Sequence, residues 1–128
     1  MSRRDAREIA FKLVFEYTFN KIENTDALEE YTAGAAADDV AFVKEIYFGV
    51  ISHYDELMEK ISANAEKFAT DRLYKVDLAI LLLAIYEILY VDAVPYKVSV
   101  DEALNLAKKY STEKSGKYIN GVLAKFAR

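Results

Sequence analysis

The residues best suited to chemistry in this chain are cations that fall beside aromatic rings. At 100° per residue, Arg4, Arg7, Phe11 and Phe15 occupy one sector of an amino-terminal helix. Guanidinium groups hold phosphates, and aromatic or guanidinium planes stack on unpaired bases, so this stripe has both components of a single-stranded RNA site. A helix N-terminus beside it favours an anion. The same residues also fit a plainer arrangement, in which Phe11 and Phe15 make a second core contact and the arginines pair with Glu8 or Asp5. A second candidate is Lys114-Ser115-Gly116-Lys117-Tyr118-Ile119-Asn120-Gly121. Asn120 and Gly121 interrupt an apolar helical pattern there, and a helical glycine costs about 1 kcal/mol relative to alanine. Either a close helix–helix approach or an open ligand surface would explain it. A third is the sector Asp77, Ile80, Ala84 and Glu87 on the most apolar stretch. It reads as a docking groove for a basic partner or as that helix's solvent edge.

Catalytic chemistry is poorly supplied. The chain has no cysteine and one histidine, His53, which excludes thiol nucleophiles and thiolate metal sites and disfavours a catalytic triad. There is no Gly-rich phosphate loop, nucleophile elbow or two-histidine metal motif. The adjacent pairs Asp38-Asp39 and Glu29-Glu30 diverge on a helix and read as solvated charge. Inward Glu-x-x-His pairs for a cofactor-holding bundle are also lacking. A non-enzymatic protein without a cofactor or metal is therefore expected, and the lack of cysteine suits the cytoplasm.

The net charge of −4 is unevenly spread. Residues 1–12 carry Arg3, Arg4, Arg7 and Lys12 against Asp5 and Glu8, a net of +2. Residues 96–128 carry seven cations against Asp101, Glu102 and Glu113, a net of +4, which leaves −10 between them. Two basic ends around an acidic middle form one basic face if they meet in space. The apolar stretch Val76 to Val91 contains Asp77 and Glu87 and is shorter than the roughly 20 residues that span a bilayer. No targeting segment is visible, so no membrane partner is expected.

The elements that must position these groups are helices. Ser2 and Asp5 form a capping box for a first helix with a core face of Ala6, Ile9, Ala10, Leu13, Val14 and Tyr17. A short second helix is expected from near Asp26 to before Ala33-Gly34. A third is capped by Asp38 or Asp39 and breaks near Ser52–Tyr54, with Asp55 capping its continuation. Thr70 or Asp71 opens a central helix from Leu73 to about Val91 that is apolar nearly all round, hence surrounded by others. After Pro95, Ser99 and Glu102 read as a capping box for a helix ending near Tyr110. Thr112 or Ser115 opens the last helix. Six or seven helices in one all-α domain over residues 1–128 are expected, with only one proline and four glycines to punctuate them.

Six motifs in order carry a resemblance. They are Arg-Arg-x-Ala-Arg-Glu at 3–8, Val-Asp-x-Ala-Ile-Leu at 76–81, Ala-Ile-Tyr-Glu at 84–87, Val-Pro-Tyr-Lys-Val at 94–98, Asp-Glu-Ala-x-x-Leu-Ala-Lys at 101–108 and Lys-Tyr-Ile-Asn-Gly-Val-Leu at 117–123. The chain resembles the NusB family of bacterial transcription antitermination factors from Arg3 to about Phe126. The resemblance implies seven helices in two small packed bundles, no cofactor and no catalytic step. It implies binding of boxA, a short single-stranded RNA element, together with NusE, a small-subunit ribosomal protein. It further implies that the pair joins RNA polymerase and other Nus factors and supports ribosomal RNA transcription by suppressing premature termination. The RNA-binding positions it implies are Arg3, Arg4, Arg7, Phe15, Lys117, Tyr118 and Asn120, beside Gly121. The NusE-binding positions are Asp77, Tyr86 and Glu87. Two departures from the family pattern are Leu82, where many relatives have arginine, and Asp5, where relatives often carry another cation. The same fold occurs fused to RNA cytosine methyltransferases, but 128 residues leave no room for a methyl-donor-binding domain. The aromatic first helix could also be covered in a homodimer. The competing function is a helical adaptor that binds only protein, with ordinary solubilising charge at its ends.

Overall fold

The computed structural model describes residues 1–64 and 74–127. Among the described residues the chain forms seven α-helices and no strand: α1 (Arg3–Asn20), α2 (Thr25–Thr32), α3 (Ala37–Ser52), α4 (Tyr54–Asn64), α5 (Lys75–Tyr90), α6 (Tyr96–Tyr110) and α7 (Glu113–Ala124). Helices α1–α4 form one bundle and α5–α7 the other. Helix α5 belongs to both, packing on α1, α3 and α4 as well as on α6 and α7.

Local chemistry accounts for most helix boundaries. Ser2 Oγ accepts from the Asp5 amide and the Asp5 carboxylate accepts from the Ser2 amide, each at 3.0 Å, so Asp5 completes the expected capping box. Helix α1 ends at Lys21, a non-glycine residue in the left-handed region (φ 57°). Asn24 caps α2 through the Ala27 amide. Neither Asp38 nor Asp39 caps α3: the helix begins behind Ala36, and both acids sit in its first turn, where they favour the helix dipole. The break between α3 and α4 falls at His53, and Asp55 lies within the first turn of α4. The expected start of the central helix at Thr70, Asp71 or Leu73 lies outside the described residues.

Helix α6 corrects the expected boundary by four residues, with Pro95 at the cap position in place of Ser99. It begins at Tyr96, directly after an extended Pro95. Proline needs no amide partner and is pre-set in φ, so it leads a helix well. The Ser99 amide already bonds to the Pro95 carbonyl at 3.2 Å, which makes Ser99 a helical, buried residue and not a cap. Thr112 caps α7, accepting from the Ser115 amide at 3.1 Å.

The core centres on α5, where Asp77 through Ile88 are all buried. Leu82 is among them, so at this position the chain has an apolar core residue. Two polar clusters lie inside this shell. The Arg7 guanidinium donates to both Glu87 oxygens, at 2.9 and 2.7 Å, with both side chains buried, and Ser99 Oγ donates to the same carboxylate at 3.4 Å. The Asp77 carboxylate accepts from Ser111 Oγ at 2.6 Å and Ser115 Oγ at 2.7 Å. These bonds tie α5 to α1, to α6 and to the α6–α7 turn. On the opposite side of α5, Tyr86 packs against α3 at Gly49, where an added Cβ would overlap the ring.

Two stability predictions follow from this packing. Gly49→Ala must displace Tyr86 and is expected to lower the unfolding free energy by about 1–3 kcal/mol. Arg7→Ala leaves the buried Glu87 without its partner, with an expected loss of about 3–5 kcal/mol, whereas Arg4→Ala, on the surface, is expected to cost far less. Denaturant titration followed by circular dichroism checks both; wild-type stability of Gly49→Ala, or equal losses for the two arginine variants, would contradict the packing described.

Candidate nucleic-acid interface

The amino-terminal arginines are brought together, and each is met by acid from elsewhere in the chain. The Arg3 guanidinium lies 4.4 Å from the Phe42 ring centroid and 3.8 and 3.9 Å from Asp38 and Asp39. Arg4 donates through Nε and Nη2 to the two oxygens of Glu102, at 3.1 Å each. Arg7 is committed to Glu87 in the interior. Further along α1, Glu8 accepts from Lys109 at 2.9 and 3.0 Å and from the Tyr110 hydroxyl, with Lys12 3.9 Å away. The hydrogen bonds from Lys109 and Tyr110 hold the Glu8 carboxyl below its ordinary pKa. The local excess of cations counted along residues 1–12 is therefore cancelled in space.

The predicted stripe splits in the same way. Arg3 and Arg4 remain at the surface, and Arg7 does not. Phe11 is a core residue, 5.0 Å from the Tyr110 ring centroid. Phe15 is half-buried and meets Phe19 edge to face at 5.1 Å. The arginines do pair internally, but mainly with Glu87 and Glu102 in place of the neighbouring Glu8 and Asp5.

The carboxy-terminal candidate is more open. Lys108, Thr112, Glu113, Gly116, Lys117 and Asn120 line a groove of about 640 Å³ between α6 and α7. Among the described residues, Lys108, Lys114 and Lys117 make no ion pair. A Cβ at Gly116 or Gly121 would meet nothing within 4 Å, which decides against close helix packing as the reason for these glycines. Tyr118 turns away from Lys117 and packs half-buried against the core; burial first, and then the Asp77 charge, raise its phenol pKa. Lys117 and Tyr118 thus serve different faces. Lys108 carries no signal of its own in the sequence; its position four residues after Leu104, on the α7 side of α6, is what places it here. Helix α6 separates the two basic regions, with Glu102, Asn105 and Lys109 bordering α1 and Leu104, Lys108 and Ser111 bordering α7.

The three expected partner-binding residues are all buried. Asp77 is 4% exposed and Glu87 is fully enclosed. Tyr86 retains 8% and is stacked with Tyr90, 5.2 Å between centroids. Ile80 and Ala84 between the two acids are also enclosed, so that sector is neither a groove nor a solvent edge. The acids look inward because their hydrogen-bond donors come from α1, α6 and α7. Exposed apolar surface lies elsewhere: Phe19 and Ile22 at the carboxy end of α1 are 61% and 64% exposed, and Tyr74 before α5 is 71% exposed. Lys75 Nζ lies 5.8 Å from the Phe19 ring centroid and donates to the Thr18 carbonyl at 3.3 Å, a carbonyl shared with Lys21 at 2.6 Å. The Phe15–Phe19 spacing of four residues was the available sequence signal for this patch.

Among the described residues no group of three or more His, Asp or Glu side chains could hold a metal ion, and no helix is long and apolar enough to cross a membrane. The NusB family model matches residues 4–128. The transcription antitermination protein NusB of Geobacillus kaustophilus is 43% identical over 125 residues, spanning 98% of this chain and 95% of that protein. The solved structure of T. maritima NusB superposes with a TM-score of 0.91 at 33% identity, covering 99% of this chain and 91% of that one. The structure of antitermination factors NusB and NusE in complex with dsRNA shares the fold, with a TM-score of 0.86 at 24% identity and coverage of 97% and 94%. Sequence along nearly the whole length and the seven-helix architecture agree: this chain belongs to the NusB family of transcription antitermination factors, which are not enzymes.

Proposed function

We propose that this protein binds boxA-type single-stranded RNA jointly with NusE, and that the assembly joins RNA polymerase and other Nus factors in the cytoplasm to support ribosomal RNA transcription. The observation that carries the RNA reading is the α6–α7 groove. Lys108 and Lys117 stand without ion-pair partners among the described residues, Asn120 adds a polar contact, and Gly116 keeps the approach to backbone open. Cations hold the phosphate chain in such a groove, and polar side chains read bases. Arg3 and Arg4 supply further phosphate contacts across α6 once released from their acids. Phe15, half-buried on the first helix, keeps part of its ring accessible for stacking.

The partner surface in this reading is the patch of Phe19, Ile22 and Tyr74 with Lys75, the largest exposed apolar side chains near the α1–α5 junction. A protein of net charge −4 whose amino-terminal arginines are paired holds RNA weakly by itself. A bound ribosomal protein adds contacts and cations to the same RNA. A second copy of this chain is the competing occupant of the patch, and it would hide Phe15 from RNA.

Fluorescence anisotropy of labelled boxA-type RNA and a scrambled control, each with and without NusE, tests the reading. The expected result is a preference for boxA that strengthens with NusE. Lys108→Ala/Lys117→Ala is expected to weaken binding and to reduce the slope of log affinity against log salt by about 0.7 per lost contact. Failure of either RNA to bind at low salt, even with NusE, would leave the protein-only adaptor as the function.

A further inference from the structure

We propose that Glu102 is an internal phosphate surrogate: it occupies Arg4 in the free protein, so that RNA reaches Arg4 only by displacing a carboxylate, and it thereby holds down affinity for RNA of any sequence. This rests on the RNA reading above and concerns how that site is kept closed.

The geometry is that of an arginine on an oxyanion. Two parallel N–H···O bonds, both 3.1 Å, join the Arg4 fork to the two Glu102 oxygens. The same fork takes two phosphate oxygens equally well. The pair is unequal in mobility. The Arg4 side chain is 68% exposed, whereas that of Glu102 is 11% exposed and held from behind. Asn105 Nδ2 donates to Glu102 Oε2 at 2.8 Å, and Arg7 Nη1 lies 3.5 Å from Oε1. An arriving anion can therefore draw Arg4 away while Glu102 stays with Arg7 and Asn105. Burial opposes a charge on Glu102, but the hydrogen bonds from Arg4 and Asn105 and the charges of Arg4 and Arg7 outweigh it, so the carboxylate remains ionised at neutral pH.

The other arginines at this end do not share this arrangement. Arg7 is interior, and Arg3 rests on Phe42 with its acids at 3.8 Å or more. The cleft of about 300 Å³ beside the fork is lined by Arg4, Arg7 and Lys109 but also by Asp5, Glu8 and Glu102, so a phosphate meets Arg4 from its exposed side. Phosphate contacts carry no sequence information, so the competition acts alike on boxA and on unrelated RNA. The protein without its partner is in this way kept from RNA generally, and the added contacts of the assembled complex overcome the competition.

The test measures RNA affinity of the full chain by anisotropy for wild type, Glu102→Gln, Asp101→Asn, Arg4→Ala and the Arg4→Ala/Glu102→Gln double variant. Glu102→Gln keeps the side-chain shape and is expected to tighten both boxA-type and scrambled RNA by about two- to fivefold, the range an exposed ion pair commands. Asp101→Asn removes the same charge one residue away, from a pair with Lys97, and is expected to change affinity less. The double variant is expected to match Arg4→Ala. Unchanged or weaker binding by Glu102→Gln, an equal gain from Asp101→Asn, or a gain that persists without Arg4 would each overturn the proposal while leaving RNA binding itself intact. No RNA binding by any of the proteins, with NusE present, would overturn the underlying RNA reading as well. A second measurement avoids variants: in wild-type protein the Arg4 Nε–H resonance is expected to move on adding RNA while that of Arg7 stays, and an unmoved Arg4 resonance would refute the exchange.

Discussion

The ion pair between Arg7 and Glu87 sets the terms for the rest of the molecule. A carboxylate in the middle of an apolar helix would be costly without a partner, and its partner must arrive with a matching fork and little freedom. That requirement fixes the rotation of α1 against α5, and Ser99 brings α6 to the same carboxylate. Once Arg7 is turned inward, Arg4, a turn earlier, lies against Glu102 on α6, and Arg3 lies over Phe42 on α3. One buried contact thus distributes three arginines among three destinations. Only two of them stay where a nucleic acid could meet them.

The second polar cluster plays the corresponding part at the other end of α5. Asp77 accepts from Ser111 and Ser115, and Thr112 between them caps α7. The start of α7 is thereby fixed against α5, and with it the outward direction of Lys117 and Asn120. Both carboxylates of α5 act as anchors for surface chemistry that other helices present. The groove is open at Gly116, and Lys108 and Lys117 on its wall make no ion pair among the described residues, although Glu113 also lines it.

Legibility in the sequence followed the range of the interactions. The Ser2–Asp5 capping box, the Thr112 cap and the break at His53 are decided within a few residues, and they were readable. Ser99 and Glu102 have the spacing of a capping box, yet Pro95 starts the helix first and frees both side chains for Glu87 and Arg4. Asp77 and Glu87 were read as surface because charge on an apolar helix usually is. Their partners lie 34, 38 and 80 residues away in sequence, and no periodicity reveals such pairings. The basic character of residues 1–12 misled for the same reason, since the neutralising acids belong to α3, α5 and α6. The glycines of α7 left two readings open in the sequence, and the structure removes close helix packing as one of them. The Phe19–Ile22–Tyr74 patch was obscured because it joins a helix end to a residue more than fifty positions later.

In the proposed assembly RNA and the protein partner use two separate surfaces, the α6–α7 groove with Arg4 and the α1–α5 aromatic patch. Amide chemical-shift mapping of isotope-labelled protein, titrated first with boxA-type RNA and then with NusE, tests this separation most directly. The account predicts that RNA shifts Lys108, Gly116, Lys117 and Asn120 with little effect on Ile22 and Tyr74, and that NusE then shifts those two. RNA-induced shifts confined to the aromatic patch, or absent from the α6–α7 groove, would contradict it.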